Sequence, residues 1–251
     1  MKVAILSDIH ANIEALEAVL ADAAQQQVTH YIGLGDVIGF NGDPAACVER
    51  VMPLFNAAVR GNHEQALFQR GLFGVPLYTA MMDRTAAMLG AECLARLRPL
   101  PGKVSWNGLT LVHATPIPTE EWQRISTVPE ARAAFTAFSG AICLFGHTHR
   151  PSVFCQNETK VQIIPVVYDE QGSFSLALEP DKRYLINPGS VGQPRDLDYR
   201  AAYGIYDNEA STLSLRRVDY DVDAAAAKIS RTGLPESFAD DLKRGHTPTG
   251  D

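Results

Sequence analysis

The sequence predicts an α/β fold in which a second sheet packs on a first. Three observations carry this reading. The chain has 251 residues, 46% of them hydrophobic, enough for one large core without disulfides. Its first half alternates short apolar runs with stretches of helical periodicity, the pattern of a largely parallel sheet. Its second half is a series of strand-like segments divided by turn signals, with no Pro/Ser-rich linker before it.

The elements follow in order. Residues 2–7 form a short apolar run, as in a buried strand. Residues 12–24 place Ile13, Leu16, Val19 and Leu20 at helical spacing. A second strand is expected at 30–34 and a helix at 44–55, with Pro44 suited to its first turn. A third strand is expected at 57–60, and one or two helices at 77–97, where Ala, Leu and Met abound. Strands at 109–113 and 141–145 flank a helix at 129–138. The later strands are 152–155, 161–167, 173–178, 183–186, 201–206 and 212–218, separated by turns such as Asp169-Glu170-Gln171-Gly172. The tail, 223–244, reads as two short helices broken at Gly233-Leu234-Pro235, and 246–251 is expected to fray.

The formal net charge of -7 opposes tight nonspecific binding of nucleic acid, yet leaves a small phosphorylated substrate open, because bound cations invert the local field. No apolar run approaches the roughly 20 residues of a membrane span. Four scattered cysteines read as reduced, buried thiols, and the expected location is the cytoplasm.

The chemistry gathers at strand ends. Asp8, His10, Asp36, Asn62, His63, His113, His147 and His149 all stand just after an expected strand. In open α/β sheets, sites form beyond the carboxyl ends of strands, so these side chains would meet in one crevice. Asp8-x-His10 presents two side chains on the same face of an extended segment. Gly35-Asp36 follows the second strand, and Gly61-Asn62-His63-Glu64 the third. Gly146-His147-Thr148-His149 is the strongest single signal for a metal. His-x-His also occurs in zinc hydrolases of the β-lactamase type, but there Asp-His follows where this chain has Arg150-Pro151. In amidohydrolase barrels the pair lies on the first strand, whereas here it comes late.

Taken in order, Asp-x-His, Gly-Asp, Gly-Asn-His-Glu, a lone His113 and Gly-His-Thr-His resemble the calcineurin-like metallophosphoesterase superfamily. The later Asn187-Pro188-Gly189-Ser190-Val191-Gly192 looks like its small bacterial and archaeal phosphoesterase branch. The resemblance implies a four-layer αββα sandwich, with two mixed β-sheets flanked by helices. The expected organisation is a metallophosphoesterase domain over residues 1–222, with the helical tail, 223–251, a C-terminal extension packed on it. Asp8, His10, Asp36 and His149 would hold one divalent metal, and Asp36, Asn62, His113 and His147 the other. A hydroxide bridging the two would attack phosphorus directly in a phosphate mono- or diester, and His63 would protonate the leaving oxygen. The donor set favours manganese, iron, zinc or cobalt. Two departures stand out: Glu64 replaces the Asp of many relatives, and Ala114 replaces a Gly after His113. Asn62 and Arg195 are candidates for contact with substrate, the alternative for Arg195 being an ion pair with Asp196. The same site would serve a dinucleoside polyphosphate hydrolase or a protein phosphatase. A scaffold without catalysis is the reading from a different class.

Overall fold

The computed structural model describes residues 1–118, 122–158 and 160–248. From the sequence, segments 68–78 and 115–126 are expected to wall the pocket; residues 119–121 of the second, and 249–251, in the tail expected to fray, lie outside the described residues. The elements are β1 (Lys2–Leu6), α1 (Ile13–Gln25), β2 (His30–Gly33), α2 (Pro44–Val51), β3 (Phe55–Ala58), α3 (Asn62–Phe68), α4 (Pro76–Met88), α5 (Ala91–Leu97), β4 (Lys103–Trp106), β5 (Leu109–Val112), α6 (Val128–Phe135), β6 (Ile142–Leu144), β7 (Ser152–Asn157), β8 (Lys160–Ile164), β9 (Ser173–Ala177), β10 (Arg183–Asn187), β11 (Ala201–Asp207), β12 (Thr212–Val218), α7 (Val222–Arg231) and α8 (Glu236–Arg244). Asn12 caps α1, its side chain accepting from the Ala15 N–H. The helix expected to reach residue 55 ends at Val51; a 3₁₀ turn, Met52–Leu54, follows, and Phe55 already belongs to β3.

The strands form two six-stranded sheets, ordered β3-β2-β1-β11-β12-β9 and β4-β5-β6-β10-β7-β8. Each is mixed. β1, β2 and β3 are parallel, while β11 runs antiparallel to β1. β5, β6 and β10 are parallel, while β4 and β7 run antiparallel to their neighbours. The expectation that the second half builds the second sheet is corrected here: β9, β11 and β12 complete the first sheet, and β7, β8 and β10 the second. Alternating apolar patterning specifies a strand and its faces, but not its neighbour.

Period-two alternation divides the core into layers. Val3 and Ile5 of β1, Ile142 and Leu144 of β6, and Tyr184 and Ile186 of β10 fill the space between the sheets. Ala4 and Leu6 turn instead toward the helices over the first sheet, where Leu16, Val48, Ile229 and Phe238 pack. Cys143 and Leu185 face α6 beyond the second sheet. The result is helices, sheet, sheet, helix, the four-layer αββα arrangement. Cys47, Cys93, Cys143 and Cys155 are buried free thiols. Among the described residues no helix is long and apolar enough to cross a membrane.

Candidate metal centre

The carboxyl ends of β1, β2, β3, β5 and β6 open on one crevice, and the turns after them carry the eight strand-end residues. Asp8, His10, Asp36, Asn62, His63, His113 and His149 are buried and His147 is half-buried. Three overlapping groups bring ligand atoms within 4.8 Å of one another: Asp8, His10 and His149; Asp36, His113 and His147; and His10, Asp36 and His63. Asp36 Oδ2 stands 3.3 Å from His113 Nε2 and 3.6 Å from His10 Nε2, so one carboxylate oxygen faces both sides of the cluster. Asn62 Oδ1 lies 3.0 Å from His113 Nε2.

Turns this tight need special backbone. Asp8, His10, Asp36, His147 and His149 all have positive φ, between 47° and 65°. Two glycines are required by close approach. A Cβ at Gly61 would lie 2.1 Å from Asp36 Oδ1, and one at Gly146 would lie 1.9 Å from Ser7 Oγ. Glu64 explains itself here. Its carboxylate accepts from the N–H groups of Asp36 (2.8 Å), Val37 (2.8 Å) and Gly61 (2.9 Å), clamping the turns after β2 and β3 together. Asn187 donates to the Gly146 carbonyl, and Ser190 Oγ to that of Asp8, so the Asn187–Gly192 turn braces the ligand turns.

The donor geometry fits cations. His10 Nδ1 is 2.9 Å from the Ile38 carbonyl and His149 Nδ1 is 2.5 Å from that of Gln193. A carbonyl only accepts, so each Nδ1 carries its hydrogen and each Nε2 presents a lone pair. Those two Nε2 atoms are 3.1 Å apart, an arrangement that repels unless positive charge lies between. His113 repeats it: Nδ1 donates to the Leu34 carbonyl, and Nε2 faces the Asn62 amide oxygen. His147 Nε2 is taken by the Trp122 carbonyl, which leaves Nδ1 as its donor atom. Asp8 Oδ2 accepts from Ser7 Oγ and the His147 N–H, whereas Oδ1 is buried without a hydrogen-bond partner. Carboxylate, amide oxygen and imidazole, with no thiolate, suit divalent first-row cations.

Burial raises the Asp36 carboxyl, but the charges of His113 and His63 outweigh it and lower it overall. Burial disfavours a charged His113, yet Asp36 lifts it to about 10. Burial, with Arg195 behind it, brings His149 down to about 3; burial and His113 bring His147 to about 4. Neutral imidazole is the form that ligates metal: His147 and His149 are held in it, while at His113 a cation would displace the Nε2 proton that Asp36 favours.

Beside the cluster is a cleft of about 220 Å³ lined by Asp36, Asn62, His63, His147 and His149, and by Phe40, Phe73, Val75, Tyr78, Arg124 and Arg195. His63 Nδ1 is buried without a partner, and its ring stands 5.1 Å from that of Phe73. Asp196 pairs with Arg217 rather than with Arg195, which disposes of the surface-pair alternative. Sequence reasoning did not single out Phe40, Phe73, Tyr78 or Arg124, although Phe73 and Tyr78 belong to a segment, 68–78, expected to wall the pocket. It also missed the Trp122 carbonyl, a backbone atom with no signature in the sequence.

Residues 1–211 match the calcineurin-like phosphoesterase superfamily domain. An uncharacterized protein of Methanocaldococcus jannaschii is 34% identical over 254 residues, spanning 97% of this chain and 98% of that one. The crystal structure of a metallophosphoesterase from Sphaerobacter thermophilus superposes with a TM-score of 0.85 at 36% identity, covering 98% of this chain and 99% of the other. A hypothetical protein from Pyrococcus horikoshii shares the fold at 20% identity, with a TM-score of 0.77 over 98% of this chain and 99% of its own.

Proposed function

The chain belongs to the calcineurin-like phosphoesterase superfamily, and from that premise we propose that it hydrolyses phosphate mono- or diesters at two divalent cations held by the strand-end cluster. The observation that carries this is the Asp36 carboxylate oxygen, 3.3 Å from one histidine ligand atom and 3.6 Å from another on the opposite side. Asp8, His10, His149 and Asp36 would hold one ion, and Asp36, Asn62, His113 and His147 the other. Such ions, when bound, supply a water-derived nucleophile near neutral pH and offset charge on the phosphoryl oxygens.

The remaining work falls to the chain itself. Asp36 fixes the spacing of the two ligand sets. The Ile38, Leu34 and Gln193 carbonyls hold the tautomers of His10, His113 and His149, so that each ring keeps its lone pair inward. His63 lines the cleft and would hand a proton to the leaving oxygen. Burial holds its pKa well below the ordinary value, more strongly than Asp36 raises it. An anionic substrate in the cleft adds opposite charge beside the ring and so favours the protonated form. Arg195 and the Asn62 amide would orient phosphate oxygens.

The test is hydrolysis of p-nitrophenyl phosphate and bis-p-nitrophenyl phosphate by metal-stripped protein, with and without manganese. Activity should return with manganese and be absent in Asp36→Asn, which weakens both ion sites at once. No hydrolysis with manganese, iron, zinc or cobalt would sink the reading and leave a non-catalytic scaffold.

A further inference from the structure

The cleft has two unlike walls. One is the ligand cluster. The other is apolar: Phe40, Phe73, Val75 and Tyr78. The rings on that side form a connected set, with Phe73 5.7 Å from Tyr78 and Phe40 6.2 Å from Tyr78. His63 sits at the seam, its ring 4.9 Å from Phe40 and 5.1 Å from Phe73. Whatever leaves with the His63 proton therefore leaves along an aromatic surface.

Two guanidinium groups reach the same cleft. Among the described residues neither Arg124 nor Arg195 has a carboxylate within 4.0 Å. Arg195 lies over the Phe40 ring, 5.4 Å from its centre, and its Nε is buried without an acceptor. Its sequence neighbour Asp196 is engaged by Arg217 and Asp198 by Arg200. A buried donor without a partner is costly, and the cleft is where an acceptor fits. Two arginines beside a cation cluster match the double charge of a phosphate monoester better than the single charge of a diester. The volume, about 220 Å³, is below the roughly 300–1,000 Å³ of sites for drug-sized ligands, and admits a phosphoryl group with one ring.

We propose that this cleft is a subsite for phosphate monoesters of a compact aromatic or planar alcohol. The dianion lies between the cluster and Arg124 and Arg195, and the ring lies against Phe73 and Tyr78. This rests on the phosphoesterase reading and names its substrate class.

Calorimetric titration of the manganese-loaded protein tests it with three non-hydrolysable probes: phenylphosphonate, methylphosphonate and methyl phenylphosphonate. Phenylphosphonate should bind about tenfold or more tighter than methylphosphonate, as burial of a ring predicts. It should also bind tighter than its singly charged methyl ester. Tyr78→Ala and Phe73→Leu should each shrink the phenyl-to-methyl ratio, and Arg124→Gln the dianion-to-monoanion ratio. Equal affinity of the wild type for phenylphosphonate and methylphosphonate would overturn the aromatic subsite, whatever the variants do. Preference for the methyl ester would overturn the monoester assignment. Binding is read without turnover, so these ratios stand or fall separately from the nitrophenyl assays that test catalysis.

Discussion

Five candidate ligand residues, Asp8, His10, Asp36, His147 and His149, hold left-handed backbone, where a non-glycine residue costs of order 1–3 kcal/mol. Asp and His tolerate that region better than most. Strain at these turns is opposed by what surrounds them: the Glu64 clamp, the Asn187–Gly192 brace and a core with no room to relax. His63 differs from the ligands in facing the cleft with an unpartnered nitrogen. His63→Gln should therefore retain metal while slowing hydrolysis of phenyl phosphate by roughly 10² or more. The loss should be smaller on p-nitrophenyl phosphate, whose leaving group needs less protonation. Full rates on phenyl phosphate would remove His63 from the acid role. The gathering of the strand-end residues is legible in the sequence because carboxylates and imidazoles that follow successive strands come out at one end of the sheets. The left-handed φ values and the reach of Glu64 to three N–H groups were not legible, because backbone geometry is shared by many sequences.

At the scale of elements, α8 is coupled to the cleft. Its Phe238 is 1% exposed and lies 6.0 Å from Phe40, whose ring is 4.7 Å from His10 and 4.9 Å from His63. Beyond α8, the Gly245 carbonyl accepts from the Leu197 N–H, in the loop that carries Arg195. Phe238→Ala should lower unfolding free energy by about 3–5 kcal/mol, read from urea titration. A change below 1 kcal/mol would mean that α8 is dispensable to the core. A second link joins α1 to the first sheet, where Asp22 accepts from Arg216 Nε at 2.6 Å and from the Tyr203 hydroxyl at 2.5 Å. Burial raises the Asp22 carboxyl, but Arg216 and Tyr203 outweigh it and hold it below the usual value. The folded pKa is depressed, so its stabilisation is present above the unfolded value near 4 and is lost as pH falls through the folded one. Asp22→Asn should thus be less stable than wild type at pH 7, and the gap in urea midpoints should close as pH falls below about 4. A gap independent of pH would sink the argument. The longer helices and most strands were expected from periodicity. β4 and α3 were not: β4 is an edge strand, Lys103–Trp106, exposed or half-buried along its length and without an apolar run, and α3 begins inside the Gly61–Glu64 motif.

For the whole molecule, the ligand cluster joins two sheets. Asp8, His10, Asp36 and Asn62 follow strands of the first, and His113, His147 and His149 follow strands of the second. Cations bound there would favour the folded chain over the unfolded one. At about 100 times the dissociation constant each ion contributes about 2.7 kcal/mol, so two together raise Tm by some 10–20 °C for a chain of this size. Calorimetric scans with manganese and with EDTA should differ by that amount, and coincident transitions would show that the folded cluster binds no cation.

The sheet order has a temporal consequence. β11 lies beside β1, and β10 beside β6, in the middle of their sheets. Every candidate ligand residue leaves the ribosome before either of these strands exists. A nascent chain ending just past His149 would carry the complete inventory of donor side chains with both sheets open along an interior edge. At about 5–20 residues per second, some seconds of synthesis separate the last ligand from the last strand that holds the ligands in register. Chaperone engagement or premature metal capture would fall in that interval.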